Sequence, residues 1–200
     1  MVRLADPHLA ERRRRQILDA ALACFLRRGF HQATMQEICA EAGISPGALY
    51  RYFDSKAAII AAIAEDASRE SDGVLHQART RADFIDAMCG VAREAFEKVC
   101  NGDDLGLMAD IFAEAARDPV LRKTLHDLDA QRLGRLADTI RACQRAGALD
   151  AKLDPIDTAD TLIGVLQGLA MRSATYGGAE PAAGVSRFRT VIDRYLAPNP

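Results

Sequence analysis

The 200-residue chain contains no tryptophan, and its other aromatic residues make up only 6% of it. No segment alternates apolar and polar residues with the period of two that a half-buried strand requires, so no sheet is expected. Charge of one sign does not dominate. The 26 Lys and Arg stand against 28 Asp and Glu, for a net charge of −2, which excludes a uniformly basic, histone-like chain. Long apolar runs are missing as well. The longest, Leu162–Met171, contains Gln167 and is about half the ~20 residues needed to span a bilayer. Arg12–Arg15 followed by Ile17–Leu26 has the outline of a secretory signal. Asp19 interrupts its apolar part, Arg27 and Arg28 close it, and no small-residue cleavage site follows. A cytoplasmic protein without a membrane partner is expected.

Cysteine is sparse and unpaired in pattern. Cys24, Cys39, Cys89, Cys100 and Cys143 form no CxxC, and each falls on the apolar stripe of an expected helix. Cys89 and Cys100 share a face but lie eleven residues apart, roughly 16 Å along a helix. A disulfide needs Cα atoms within about 4.4–6.8 Å, so the two cannot bridge. Small buried hydrophobes are the plain reading of all five, and a redox-sensing thiol is the rarer alternative.

What the chain does have is helix former and helix punctuation. Ala, Leu and Arg abound, 49% of residues are hydrophobic and 27% are charged, a balance suited to a folded helical protein. The charge is unevenly spread. Residues 1–60 hold nine basic and six acidic side chains, whereas residues 61–200 hold 17 and 22. A basic head on an acidic body points to an anionic partner at one end only. Asp6-Pro7, Ser45-Pro46, Asp118-Pro119 and Asp154-Pro155 each pair an N-cap side chain with a proline at the first helical position. Thr34-Met35-Gln36-Glu37 spells a capping box, and Gly29 and Gly43 stand where helices end. The expected fold is all-α, with about nine helices at 7–28, 35–42, 46–53, 55–76, 81–100, 104–116, 119–146, 155–176 and 182–197. Phe30, Ile38, Ile44 and Leu49 tie the first three into a compact unit over residues 1–54, and residues 55–200 form a larger helical bundle.

The stretch Thr34–Lys56, TMQEICAEAGISPGALYRYFDSK, carries the chemistry. Helix, glycine-containing turn and helix make a helix-turn-helix, with Gly43 at the turn. If Leu49 and Phe53 face inward, the second helix presents Gly47, Ala48, Arg51 and Tyr52, with Tyr50 at the edge. Small residues let a helix approach a groove closely, and two tyrosines and an arginine supply phosphate and base-edge contacts. Half-buried tyrosines with wet hydroxyls are the plain alternative for Tyr50 and Tyr52 taken singly. Lys56 opens the next helix within reach of a flanking backbone. The run Arg12–Arg15 covers almost the whole circumference of its helix, so some of the four are merely solvated. One or two are assigned to phosphate, with Arg14 as the candidate.

From Arg14 through Lys56, with its T-x-x-x-I-C-x-x-A-G-I-S-x-G-x-L-Y-x-Y-F-x-S-K core, the sequence resembles the DNA-binding domain of the TetR family of transcriptional regulators. The resemblance implies that Thr34 caps a helix against a phosphate and that Ser45, Gly47, Tyr50, Tyr52 and Lys56 contact the DNA backbone. It places Ala48 and Arg51 where family members read bases. Pro46 departs from the polar residues common at its position and has no amide hydrogen to offer. Ala113–Pro119 followed by a long helix is similar to the ligand-binding part of BetI-like members. A choline-type ligand calls for an aromatic cage, which the scarcity of aromatics argues against.

Helix 155–176 is apolar nearly all round from Leu162 to Met171, which implies burial on two sides, one of them against a second subunit. Leu162, Gly164, Val165, Gly168 and Leu169 are the interface candidates, joined by Phe188, Ile192 and Tyr195 of the last helix. Packing within the chain is the alternative for the two glycines. Phe84, Met88, Phe96, Met108, Phe112 and Tyr176 are candidates to line an effector pocket, although most are expected in the core. The reading that results is a homodimeric regulator, most simply a repressor released from a near-palindromic double-stranded DNA operator by a small molecule, with no metal or other cofactor. Two rival readings are an architectural DNA binder without effector and a helical metal-dependent phosphohydrolase. His76, His126-Asp127 and Asp154 follow the residue order of one such enzyme class. The apolar stripe Leu121, Leu125, Leu128, Leu136 and Ile140 turns Asp127 toward solvent and speaks against it.

Overall fold

A computed structural model of the chain describes residues 7–75, 77–100, 103–177 and 180–197. Among them are nine α-helices and no strand: α1 (Pro7–Arg28), α2 (Met35–Ala42), α3 (Pro46–Leu49), α4 (Lys56–Leu75), α5 (Arg81–Cys100), α6 (Asp103–Ala115), α7 (Pro119–Arg145), α8 (Pro155–Tyr176) and α9 (Pro181–Tyr195). The expected helices are all present. Thr34, Ser45 and Asp154 cap α2, α3 and α8 with their side chains, and the Asp118 carboxylate accepts from Val120 and Leu121 at the start of α7. One helix is much shorter than its pattern suggests. α3 stops at Leu49 rather than running to Phe53, and residues 50–52 form a turn in which Tyr52 and Phe53 both donate to the Leu49 carbonyl at 2.8 and 3.0 Å. Ser55 has to be free to cap α4, where its hydroxyl accepts from Ala58 at 3.1 Å, so the chain leaves the helical path before it.

The chain divides into two compact units, one of residues 1–66 with 106–126, the other of residues 67–105 with 127–200. In the first, α1 contributes Ile17, Ala21, Cys24 and Phe25, onto which Phe30, Ile38, Leu49 and Phe53 close. The Phe25 and Phe30 rings meet at 5.1 Å. The same core takes in Ile59 and Ile60 of α4, Leu107, Ile111 and Ala115 of α6, and Leu121 of α7. By packing, this unit therefore extends past residue 54. α6 turns a stripe one residue away from the expected pocket positions, leaving Met108 half-buried and Phe112 53% exposed.

The second unit is built on α5, α8 and α9, with Ile140 and Cys143 of α7. Phe84, Met88 and Phe96 lie in its core at 0–2% exposure, whereas Tyr176 is 76% exposed. The six effector-pocket candidates are divided between the two units. Phe84, Met88 and Phe96 are occupied in packing this unit, and Met108 and Phe112 belong to the other. The interface candidates divide in the same way. Leu162, Phe188 and Ile192 are buried in their own chain's core and are corrected to packing residues, because α8 and α9 turn their most apolar stripes onto α5. Gly164, Gly168 and Tyr195 are exposed, whereas Val165 and Leu169 are half-buried and pack against the same core. Cys24, Cys39, Cys89 and Cys143 are buried, and burial raises each thiol above its ordinary pKa, which disfavours the reactive thiolate.

Gly184 of α9 stands against Phe96 of α5, so closely that a Cβ there would collide with the Phe96 ring. Gly184→Ala should cost about 1–3 kcal/mol through overpacking and lower the thermal midpoint by several degrees. An unchanged melting curve would show that Phe96 has room to retreat.

Candidate nucleic-acid interface

The α2–turn–α3 segment is short, so its backbone ends are satisfied by side chains. Thr34 and Glu37 form the full capping box. The Glu37 amide donates to Thr34 Oγ1 at 3.2 Å, and the Thr34 amide donates to Glu37 Oε2 at 3.0 Å. The Thr34 hydroxyl also donates to that carboxylate, and Arg28 pairs with its other oxygen at 3.1 Å. Together the Thr34 hydrogen bonds hold the Glu37 carboxyl below its ordinary pKa. Gly43 ends α2 with φ +60°, and Ile44 donates back to Cys39 at 3.0 Å. Only a residue without a Cβ takes this left-handed conformation readily. Gln16 then ties α1 to the end of α2 through the Ala42 carbonyl at 2.6 Å, and Arg27 pairs with Glu41 at 2.8 Å.

α3 follows with Ser45 as cap and Pro46 at its first position. Leu49 and Phe53 point inward at 0% and 7% exposure, as their spacing predicts. Ser45, Gly47, Tyr50 and Arg51 are exposed, and Ala48 and Tyr52 are half-buried. Tyr52 packs its ring against the core of this unit, so the plain reading of that residue holds in part. Ser45, Ala48, Arg51 and Tyr52 line one wall of a cleft of about 350 Å³ whose other wall includes Arg13. Among the described residues no acidic side chain lines it. Two guanidinium groups beside small residues at a helix start form a surface to which a phosphate backbone can dock, with Arg51 free to reach a base edge.

Two of the expected contacts are differently employed. The Arg14 guanidinium, 26% exposed, pairs with Asp66 of α4 at 2.8 Å, and that hydrogen bond raises its pKa. Arg13, not Arg14, is the member of the arginine run that faces the cleft. The Lys56 ammonium donates to the carbonyls of Phe30 and His31 at 2.7 and 2.9 Å and sits 4.9 Å from the centre of the Phe30 ring. Burial lowers its pKa. The sequence reading also missed Asp110 and Glu114 of α6, which meet the Phe30 amide and the His31 ring. Their spacing of four residues beside the Leu107, Ile111 and Ala115 stripe was the one available signal.

The rival site is dispersed. His76 lies outside the described residues, His126 and Asp127 are exposed, and Asp154 caps α8 by accepting from Ile156 and Asp157 at 2.9 and 3.0 Å. Among the described residues no group of three or more His, Cys, Asp or Glu could hold a metal ion. No helix among them is long and apolar enough to cross a membrane.

Comparison with known proteins adds an independent line. A family profile described as bacterial regulatory proteins, tetR family, matches residues 17–63, and one described as BetI-type transcriptional repressor, C-terminal, matches residues 86–197. The chain is 29% identical over 191 residues to the HTH-type transcriptional regulator UidR of Escherichia coli K12, covering 94% of each. It is 27% identical over 194 residues to the HTH-type transcriptional repressor Rv1474c of Mycobacterium tuberculosis, covering 96% of this chain and 95% of that protein. Among solved structures, Salmonella enterica GusR matches with a TM-score of 0.73 at 24% identity, over 96% of this chain and 98% of that one.

The capping box gives the interface a pH limit. A carboxyl held below its ordinary pKa stabilises the fold above about pH 4.5 and loses that contribution as pH falls through the folded value. Thr34→Ala should cost about 1 kcal/mol at neutral pH. It should also flatten the acid side of the stability profile, read as thermal midpoint against pH. An acid side as steep as the parent's would mean that Glu37 is held by other partners.

Proposed function

The chain belongs to the TetR family of bacterial regulatory proteins, with a BetI-type C-terminal part, and from that premise we propose that it is a repressor which leaves its operator when a small molecule binds. DNA binding and transcriptional regulation come with the family. The cleft between Arg13 and Arg51, beside the exposed side of α3 and with no acidic side chain among its described lining, carries the site reading. Arg51 and Ala48 read bases, while Arg13, Thr34, Ser45, Gly47, Tyr50 and Tyr52 meet the sugar-phosphate backbone. Residues 1–54 do the reading, and residues 55–200 dimerise and take the effector. A thermal-shift screen of small molecules whose hits all fail to lower DNA affinity would count against the effector.

Two copies joined through α8 and α9 would set their α3 helices against successive major grooves, ~34 Å apart on a near-palindromic site. Gly164 and Gly168 support that interface, since a Cβ at either would meet nothing of its own chain within 4 Å. Gly168→Glu should therefore give a folded monomer by sedimentation velocity. A dimer that persisted would move the interface elsewhere.

The deciding experiment is fluorescence anisotropy with DNA from upstream of the chain's own gene against a scrambled duplex at physiological salt. Specific recognition is expected to be at least ~10³-fold tighter than binding to the scramble. Arg51→Ala should narrow that ratio by weakening the specific duplex more than the scrambled one. If both duplexes weakened equally, Arg51 would be a phosphate contact and not a base reader.

A further inference from the structure

The turn between α1 and α2 is held from outside on both of its polarities. Gly29 has φ +80°, and a Cβ there would collide with Asp110 Oδ2. The glycine thus leaves the space that the carboxylate fills. From that place Asp110 accepts the Phe30 amide at 3.2 Å. On the other polarity, Lys56 donates to the carbonyls of Phe30 and His31 with its ammonium close to the Phe30 ring. Glu114, one helical turn beyond Asp110, meets His31 Nδ1 at 2.8 Å. The turn leads directly into Thr34, whose capping box starts α2, and α2 carries α3 through the Gly43 turn.

An ammonium seated in this way has two of its three donors committed and part of its hydration removed. To meet a phosphate it would have to give up both carbonyls and the ring. We propose that Lys56 and Asp110 are positioning residues that clasp the Gly29–His31 turn, and that Lys56 acts on DNA through this turn rather than as a phosphate ligand. The proposal rests on the DNA-binding reading above but not on the identity of the operator. It departs from what the family resemblance implies for Lys56.

Counterion release separates the two roles. A lysine that neutralises one phosphate contributes about 0.9 to the slope of log affinity against log salt, whereas a positioning residue contributes nothing to it. The test measures affinity for a mixed-sequence duplex from about 50 to 200 mM salt, for the parent, Lys56→Met, Asp110→Ala, their double variant and Asp110→Asn. Methionine keeps an unbranched stem against Phe30 and removes the charge. The expected result is binding about tenfold weaker for Lys56→Met and Asp110→Ala, with salt slopes parallel to the parent's. The double variant should be no weaker than the weaker single one, because either change opens the same turn. Asp110→Asn should stay near the parent, since its amide oxygen still accepts from Phe30.

Amide exchange at Phe30, which needs no DNA, should quicken in Asp110→Ala while Leu49 stays protected. If Leu49 lost protection too, the variant would have loosened generally, and the Asp110→Asn comparison together with the Lys56→Met slope would decide alone. A slope shallower by about 0.9 in Lys56→Met, or losses that multiply in the double variant, would overturn the proposal and restore Lys56 as a phosphate contact. A parent that binds the mixed duplex but shows no preference for its upstream DNA would count against the operator reading and leave this result standing.

Discussion

A helix of four residues has no stability of its own, and one of eight has little. Yet α3 and α2, of those lengths, carry the surface proposed to read DNA. Everything around them answers that constraint. Caps at Thr34 and Ser45 satisfy the amides at their starts, Gly43 turns the chain between them, and Leu49 and Phe53 anchor the second to a core larger than the pair could make alone. The reading surface is rigid because it is backed, and the backing comes from α1, α4, α6 and the start of α7 within the same unit.

Electrostatics in this unit are sorted by side. Arg13 and Arg51 face the cleft with no acid among its described lining, whereas Asp66, Asp110 and Glu114 are spent on Arg14, the Phe30 amide and His31. The acids therefore neutralise or hold groups away from the cleft instead of screening the cations that face it. That arrangement reconciles a chain of net charge −2 with an anionic partner. Field at the docking surface, not the total, governs encounter with DNA.

Local signals made the helices, the turn and the inward side of α3 readable from the sequence. A cap, a proline at a helix start and a left-handed glycine all act over four or five residues, so the chemistry that forms them is visible in order along the chain. Side-chain employment was not readable in that way. Lys56 is engaged 26 and 25 residues back, Arg14 52 residues ahead and Phe30 80 residues ahead, and only folding brings such groups together. The two-sided apolar character of α8 was visible too. Which of its residues face α5 was not, because Leu162 and Gly164 differ by two positions on a helix whose pattern is apolar almost throughout. The same ambiguity left Phe84, Met88 and Phe96, which the fold buries in the core, open to a pocket reading as well.

The discontinuous make-up of the first unit bears on how such a regulator can be taken apart or recombined. Residues 1–66 expressed alone would bare the faces that Leu107, Ile111, Ala115 and Leu121 cover, and with them the Phe30 amide that Asp110 receives. A hybrid regulator made by exchanging only the N-terminal segment between relatives would set a new turn against an old α6. The unit of exchange that keeps its own lining is the N-terminal segment together with residues 106–126, two pieces of chain that have to be moved as one.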